Sequence, residues 1–225
     1  MSQPVFQDNI EYQTLRDFVF TSRISLVASS LNVHPSMPVR SVKELIAFAK
    51  ARPGELFMGS AGQGSGGHLM GELFQSMAKV KLTHVPYKGG AAAAVAILSG
   101  QVHLAFDQVS SSGPMIKAGR LRALAVTTPQ RSKLLPDVPT IDESGLSGYD
   151  YSTWTTIAIP AATPKETVQK LRAAVDTVIA QPRTREAFEK LGAEVAPNSA
   201  EDFTRTIEQD LARWARIRKE TGIKF

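Results

Sequence analysis

Leu56-Phe57-Met58-Gly59-Ser60-Ala61-Gly62-Gln63-Gly64-Ser65-Gly66-Gly67-His68-Leu69 joins a strand pattern to a helix pattern through glycine and serine. A short apolar run breaks into a glycine- and serine-rich turn. The turn feeds a segment with Leu69, Leu73, Phe74 and Met77 at the spacing of one helical face. A glycine-rich turn between a strand and a helix gathers free backbone N–H groups and the positive end of the helix dipole at one point. That point suits a carboxylate or a phosphate.

Working outward, strand and helix alternate. Ser41-Val42-Lys43-Glu44 is a capping box opening a helix with Val42, Leu45, Ile46 and Ala49 on one side, and Arg52-Pro53-Gly54 ends it. The pattern then predicts strands over 56–59, 82–85, 102–106 and 121–126. Helices are predicted over 66–78 and 90–99, with a short one near 111–118. Successive strand–helix units of this length imply an α/β fold with a mixed, mostly parallel sheet and helices on both faces. Beyond Thr127 the turn-rich segment 128–148 reads as a long connection, and 149–159 as an extended segment carrying Trp154. Thr163-Pro164-Lys165-Glu166 predicts a helix with Thr163 as cap and Pro164 at its first position; Val168, Leu171, Val175, Val178 and Ile179 share one side. A last helix from Ser199 carries Phe203, Ile207, Leu211 and Trp214.

Composition narrows the classes. With 43% hydrophobic and 21% charged residues over 225 positions, the chain can bury a real core. No apolar run approaches the roughly 20 residues that span a bilayer, and Met1-Ser2-Gln3-Pro4 lacks the basic start and apolar stretch of a secretory signal. The absence of cysteine excludes disulfides, thiolate metal sites and cysteine nucleophiles. The net charge of +5 is a weak attraction for anions. The densest basic segment, Arg213-Trp214-Ala215-Arg216-Ile217-Arg218-Lys219, alternates with an apolar helix face and reads as solvated helix surface, so no nucleic-acid partner is expected.

The motifs divide by chemistry. Gly62-Gln63-Gly64-Ser65-Gly66-Gly67 formally satisfies G-x-G-x-x-G, but the next strand ends Leu82-Thr83-His84-Val85-Pro86 without the acidic residue that would hold a ribose. No Gly-Lys-Ser/Thr follows for a P-loop, and Gln63 stands where a nucleophile elbow needs glycine. Ser60, Ser65, His68 and Asp107 have no spacing that demands a hydrolase triad, and Ser65 is placed as a helix N-cap. The histidines His34, His68, His84 and His103 have no metal-ligand spacing, so no metal is assigned. Asp107 follows a strand at the carboxyl end where open parallel sheets bind ligands; it faces a ligand amine or hydroxyl, or it caps the following helix. Pro86-Tyr87-Lys88-Gly89-Gly90 gives a second glycine-marked helix start beside the first, and two such loops on one sheet edge make a crevice.

Taken together, the glycine loop, His84-Val85-Pro86-Tyr87-Lys88-Gly89-Gly90, Leu104-Ala105-Phe106-Asp107 and Ile116-Lys117-Ala118-Gly119-Arg120-Leu121-Arg122-Ala123-Leu124-Ala125-Val126 resemble the Bug-type receptors. These are the periplasmic solute-binding proteins of tripartite tricarboxylate transporters. Leu135-Pro136-Asp137-Val138-Pro139-Thr140 and Pro160-Ala161-Ala162-Thr163-Pro164 fit the same pattern, and the resemblance runs in unbroken order from about Gln3 to the C-terminus. It implies a two-lobed, type II periplasmic-binding-protein topology and a periplasmic receptor. Such a receptor captures a di- or tricarboxylate, an acidic amino acid or an aromatic acid, hands it to a membrane permease and catalyses nothing, with no cofactor. Carried over, Ser60, Ala61, Gly62, Gly64, Ser65 and His68 in one loop and Tyr87, Lys88 and Gly89 in the other would supply contacts, with Asp107 deeper in the cleft. An aspartate in an acid-binding pocket suggests a ligand that also carries an amine, amide or hydroxyl.

The same resemblance predicts an intact ligand-binding lobe over 28–154, with 1–27 and 155–225 as the remainder of a first lobe truncated to mainly helices. That leaves the apolar faces around 168–179 and 203–214 to be covered by a second copy of the chain or by a rearranged lobe. The competing expectation is a folded, non-binding fragment stabilised by self-association. A nucleotide-using enzyme and an effector-sensing module of a transcription regulator are the remaining alternatives.

Overall fold

A computed structural model of the chain describes residues 3–6 and 10–222. Residues 1, 2, 7–9 and 223–225, which the sequence assigns to the first-lobe remainder, lie outside the described residues. The chain divides into two compact units, Met1–Val27 with Trp154–Phe225, and Ala28–Thr153. The first unit opens with α1 (Gln3–Phe6), α2 (Thr14–Asp17), β1 (Phe18–Phe20) and β2 (Ser25–Val27). The second holds β3 (Ser29–Val33), α3 (Val42–Ala51), β4 (Phe57–Ser60), α4 (Gly66–Ala78), β5 (Thr83–Pro86), α5 (Gly90–Leu98), β6 (Leu104–Gln108), α6 (Val109–Lys117) and β7 (Arg122–Val126). The chain returns to the first unit through β8 (Thr153–Thr155), β9 (Ala158–Pro160), α7 (Lys165–Ala180), α8 (Pro182–Lys190), β10 (Ala193–Val195) and α9 (Ala200–Thr221).

In Ala28–Thr153 the sheet order is β5-β4-β6-β3-β7. β4 runs parallel to β5 and β6, whereas β3 is antiparallel to both β6 and β7, so four strands share one direction and β3 opposes them. Strand alternation puts helices on both faces. Met58 and Phe106 point to the α4 side, where Phe106 meets Phe74 with ring centroids 6.0 Å apart. Ala105, on the other face, packs with Ala96, Ile97, Val102 and Leu121 around α5. α3 starts as its sequence dictates, with Ser41 Oγ accepting the Glu44 N–H; the Glu44 carboxylate reaches one residue further than a capping box needs and takes the Arg40 N–H instead. The long connection after β7 forms no helix or strand but is well packed. Leu135, Ile141, Leu146 and Tyr149 are buried, and the Tyr149 hydroxyl donates to Met70 O at 2.9 Å.

The first unit combines its helices with two small sheets, β1-β9 and β10-β2-β8. The patterning of short strands such as 18–20 and 193–195 is too brief to separate from loop in sequence. Ser199 caps α9, its Oγ accepting the Asp202 N–H at 3.0 Å. α7 starts one residue later than expected: Pro164 is the N-cap, and the Thr163 N–H turns back to Pro160 O, so Thr163 makes no cap. The apolar face of α9 is covered from within the unit, the second of the two outcomes expected for it, rather than by another copy of the chain. Phe203 and Ile207 pack on Phe20, Phe18 and Trp154, and Trp214 meets Phe6 edge-on at 5.8 Å. On α7, Val168 and Ile179 are buried, while Leu171 and Val178 remain exposed. Among the described residues no helix is long and apolar enough to cross a membrane.

Candidate functional site

The carboxyl ends of β4 and β6 open into a cavity of about 500 Å³ inside the Ala28–Thr153 unit. Three helices begin at its wall: α4 through Ser65, Gly66 and Gly67, α5 through Gly90 and Ala91, and α6 through Gln108, Ser111 and Ser112. The first-turn N–H groups of a helix have no partner within the helix, so three positive dipole ends converge on one space. Met70, Ile97, Phe106 and Leu121 supply apolar wall, and Ser29 and Asn32 of β3 supply polar floor. Asp107 is the one ionisable side chain in the lining.

The glycine loop is held by its own hydrogen bonds. Ser60 O–H donates to Gly62 O at 3.0 Å and the Gly62 N–H donates back to Ser60 Oγ at 3.2 Å. Ser65 O–H also donates to Gly62 O, at 2.7 Å, and Ser65 Oγ accepts the His68 N–H as the N-cap of α4. Gly64 sits at φ 72°, where a side chain is strained, and its N–H donates to His68 Nδ1 at 3.1 Å. The second loop is stitched to the first: the Tyr87 N–H donates to Ser60 O and the Gly89 N–H to Ala61 O. The crevice expected from two neighbouring loops is therefore built by backbone pairing continued past the ends of β4 and β5.

Of the residues singled out from sequence, Ser60, Ala61, Ser65 and Asp107 line the cavity. Gly62, Gly64 and His68 shape the loop behind it, and Tyr87 and Gly89 hold the second loop to the first. Lys88 is exposed and outside the lining; Gly90 and Ala91, the first residues of α5, take that wall. Asp107 does not cap α6, whose N-cap is Gln108; its Oδ1 accepts the Gln108 N–H at 2.8 Å. Burial pushes the Asp107 carboxyl above its ordinary pKa, with that hydrogen bond opposing the rise. Sequence reading missed Ser29, Asn32, Ser111 and Ser112. The last two left a signal in the run Ser110-Ser111-Ser112 directly after the strand that carries Asp107. Ser30 ties them together, its Oγ lying 3.0 Å from both Asn32 Oδ1 and Ser112 Oγ.

Gly67 marks where α4 comes closest to the sheet. A Cβ there would stand 2.8 Å from Phe106 O, a backbone atom that cannot step aside, whereas a Cβ on Gly90 would meet nothing within 4 Å. Gly67→Ala is expected to destabilise the protein by about 1–3 kcal/mol through overpacking. That exceeds the ~1 kcal/mol that alanine gains over glycine in a helix. Gly90→Ala keeps only the gain. Urea unfolding of the two variants side by side checks the sign of each.

Residues 1–223 match the family described as the tripartite tricarboxylate transporter family receptor. A protein from the tcbD-tcbE intergenic region of Pseudomonas sp. strain P51 is 35% identical over 213 residues, covering 94% of this chain and 63% of the relative. Solved structures agree. R. palustris Rpa4515 with adipate has a TM-score of 0.82 at 38% identity, covering 97% of this chain and 73% of that one. The periplasmic binding protein BugD gives 0.82 at 30% identity, covering 99% and 75%. MatC from Rhodopseudomonas palustris with bound malate gives 0.81 at 26%, covering 96% and 74%. The chain thus spans less than two thirds of the length of that Pseudomonas relative. The periplasmic-binding-protein fold implied by the family resemblance is the fold these chains share. By sequence along nearly its whole length, and by fold, the chain belongs to the receptor family of the tripartite tricarboxylate transporters, a family of solute receptors rather than enzymes.

Proposed function

We propose that this chain serves as a periplasmic receptor for a small carboxylate, which it delivers to the membrane permease of a tripartite transporter. The observation that carries this reading is the cavity in which the starts of α4, α5 and α6 converge without a single basic side chain. Such a wall offers an anion directed N–H groups and helix dipoles instead of a counter-ion. It stabilises a carboxylate at a fixed place and releases it without breaking a buried salt bridge. The family membership supports the transport role, and the neighbours holding adipate and malate support the ligand class.

Asp107 refines the class. A carboxylate ligand beside a carboxylate wall group is repelled unless a hydrogen-bond donor stands between them or a proton is shared. An acid that also bears a hydroxyl or an ammonium group resolves the conflict, its acid end at the helix starts and its donor on Asp107. The expected hierarchy places malate above succinate, since the two differ only by the hydroxyl.

A thermal-shift screen against dicarboxylates, tricarboxylates, acidic amino acids and aromatic acids, with their amides as controls, tests the reading. Ligand at about 100 times its Kd adds roughly 2.7 kcal/mol, a rise of roughly 5–10 °C for a chain of this size. An acid that shifts the melt while its amide does not is the expected result. A cooperative melt that no acid moves would overturn the receptor reading for this chain in favour of a folded, non-binding unit.

A further inference from the structure

Behind the cavity wall lies a cluster that ligand contact does not explain. The rings of His68, on α4, and His84, on β5, stack at a centroid distance of 3.7 Å with planes 8° apart. His68 is 4% exposed, and its Nε2 lies 3.5 Å from Oε1 of the buried Glu72 one turn along the helix. His84 Nε2 lies 2.6 Å from Ser60 Oγ. Each ring therefore grips one end of the glycine loop: His84 holds Ser60 where the loop leaves β4, and His68 holds Gly64 just before it enters α4.

The hydrogen bonds assign the protons. Gly64 N–H donates to His68 Nδ1, so that nitrogen is bare and the His68 proton sits on Nε2, facing Glu72. Ser60 spends its own proton on Gly62 O, which leaves the short contact to be made by an Nε2–H of His84. Each ring makes its contact to the loop with one proton, on Nε2. Each imidazole faces the other, and Glu72 faces the outer nitrogen of His68.

We infer that His84 and His68 are positioning residues for the carboxylate site, a stacked pair of neutral imidazoles that holds the Ser60–Ser65 loop in its receptive shape and lets go when the pair takes up a proton. The mechanism is a change of donor into conflict. A proton on His68 Nδ1 turns the acceptor of Gly64 into a second donor pointing at the same N–H, and a charge on either ring opposes charge on the other. Burial and the neighbouring ring hold His84 down at about 4, against an ordinary 6.5. His84 in the folded chain thus resists protonation that it accepts in the unfolded chain. Stability from this source is full above pH 6.5 and is lost as pH falls toward about 4. His84 therefore keeps its hold on Ser60 across mildly acidic pH, where an exposed histidine would already be charged.

The positioning role rests on the receptor reading, whereas the anchoring itself is tested without ligand. In ¹⁵N-labelled protein at pH 7, ring-nitrogen spectra are expected to show His68 with a bare Nδ1. The Gly64 amide is expected to shift whenever the His68 ring nitrogens do as pH is lowered from 7. His68→Asn places an oxygen near the old Nδ1 and does not titrate, so the Gly64 amide should stay unmoved over that range. His68→Gln puts its amide nearer the Nε2 position and leaves Gly64 unanswered, so exchange of that amide should quicken about tenfold. With L-malate as the probe at pH 7, His68→Asn is expected to bind within about threefold of the parent and His68→Gln about tenfold more weakly. His84→Gln, which still reaches Ser60, should outbind His84→Leu. A protonated His68 Nδ1 at pH 7, a Gly64 amide indifferent to the titration, or equal malate binding by His68→Asn and His68→Gln would overturn the inference and leave the receptor standing. Malate, succinate and the other acids all failing to bind, with Gly64 following the titration, would overturn the receptor and leave the anchoring standing.

Discussion

Asp107→Asn is expected to make the protein more stable at pH 7 and a poorer binder of hydroxy- or amino-substituted acids. The stability half follows from burial. Asp107 stands at the end of β6 in the cavity wall, and its environment favours the neutral form, so its pKa is higher folded than unfolded. Between the ordinary value of 3.8 and the raised one, the folded state binds more protons than the unfolded state, and stability falls as pH rises through that window. Above the raised value the whole cost is present; well below 3.8, where the carboxyl is protonated in both states, it is absent. Asparagine is nearly isosteric and never ionises. The variant should therefore melt above the parent at pH 7, with the gap closing as the pH approaches 3. Thermal melts of both proteins at pH 7, 5 and 3 read this directly, and a variant less stable than its parent at pH 7 refutes the argument.

The binding half explains why such a cost is kept. In the proposed receptor, a ligand hydroxyl or ammonium in the cavity would donate to Asp107 and offset that cost. Losing a charge-assisted hydrogen bond weakens binding by about tenfold or more. Succinate, with no donor to offer, should bind the variant as well as or better than the parent, because the repulsion has gone. The expected readout is a malate-to-succinate affinity ratio that falls by about tenfold on substitution. A ratio that stays constant would mean that Asp107 shapes the wall without reading the ligand.

Much of this site was legible in the chain because its chemistry is local. A strand, a glycine turn and an N-cap serine specify α4 within a dozen residues, and the second glycine loop repeats the device. The residues that went unread come from elsewhere in the chain. Asn32 and Ser29 lie on β3, whose every residue is buried, so the alternation that reveals a half-exposed strand is missing. β3 also runs against its neighbours, so its place between β6 and the edge strand β7 follows from long-range pairing rather than from any strand–helix unit. The stacked histidines are 16 positions apart in sequence, on a helix and a strand, and no spacing rule joins them. The misplaced cap of α7 is a different failure. Thr163 and Pro164 satisfy the pattern for a helix start, but the turn closed by Pro160 O claims the Thr163 N–H and moves the cap on by one.

Phe203→Ala is expected to produce the largest loss of stability in the first unit. Phe203 is fully buried on α9, edge-on to Phe20 of β1 at 6.4 Å and to Trp154 of β8 at 4.9 Å. These strands are three residues long, too short to hold a sheet by backbone pairing alone. Phe203 is the group on which both rest, so removing its ring deletes two aromatic contacts and leaves a cavity among rigid neighbours. The expected cost is about 3–5 kcal/mol, a fall in Tm of roughly 10 °C or more. Both tryptophans of the chain, Trp154 and Trp214, lie in this unit and pack on Phe203 and Phe6. Tryptophan fluorescence therefore follows its unfolding without a signal from Ala28–Thr153. Leu171→Ala, at an exposed position on α7, is the control and should cost under about 1 kcal/mol. If the two variants lose stability equally, the packing of α9 on β1 and β8 is not what holds the unit together. If Phe203→Ala alone collapses the fluorescence transition, the apolar face of α9 has its partner within this same chain.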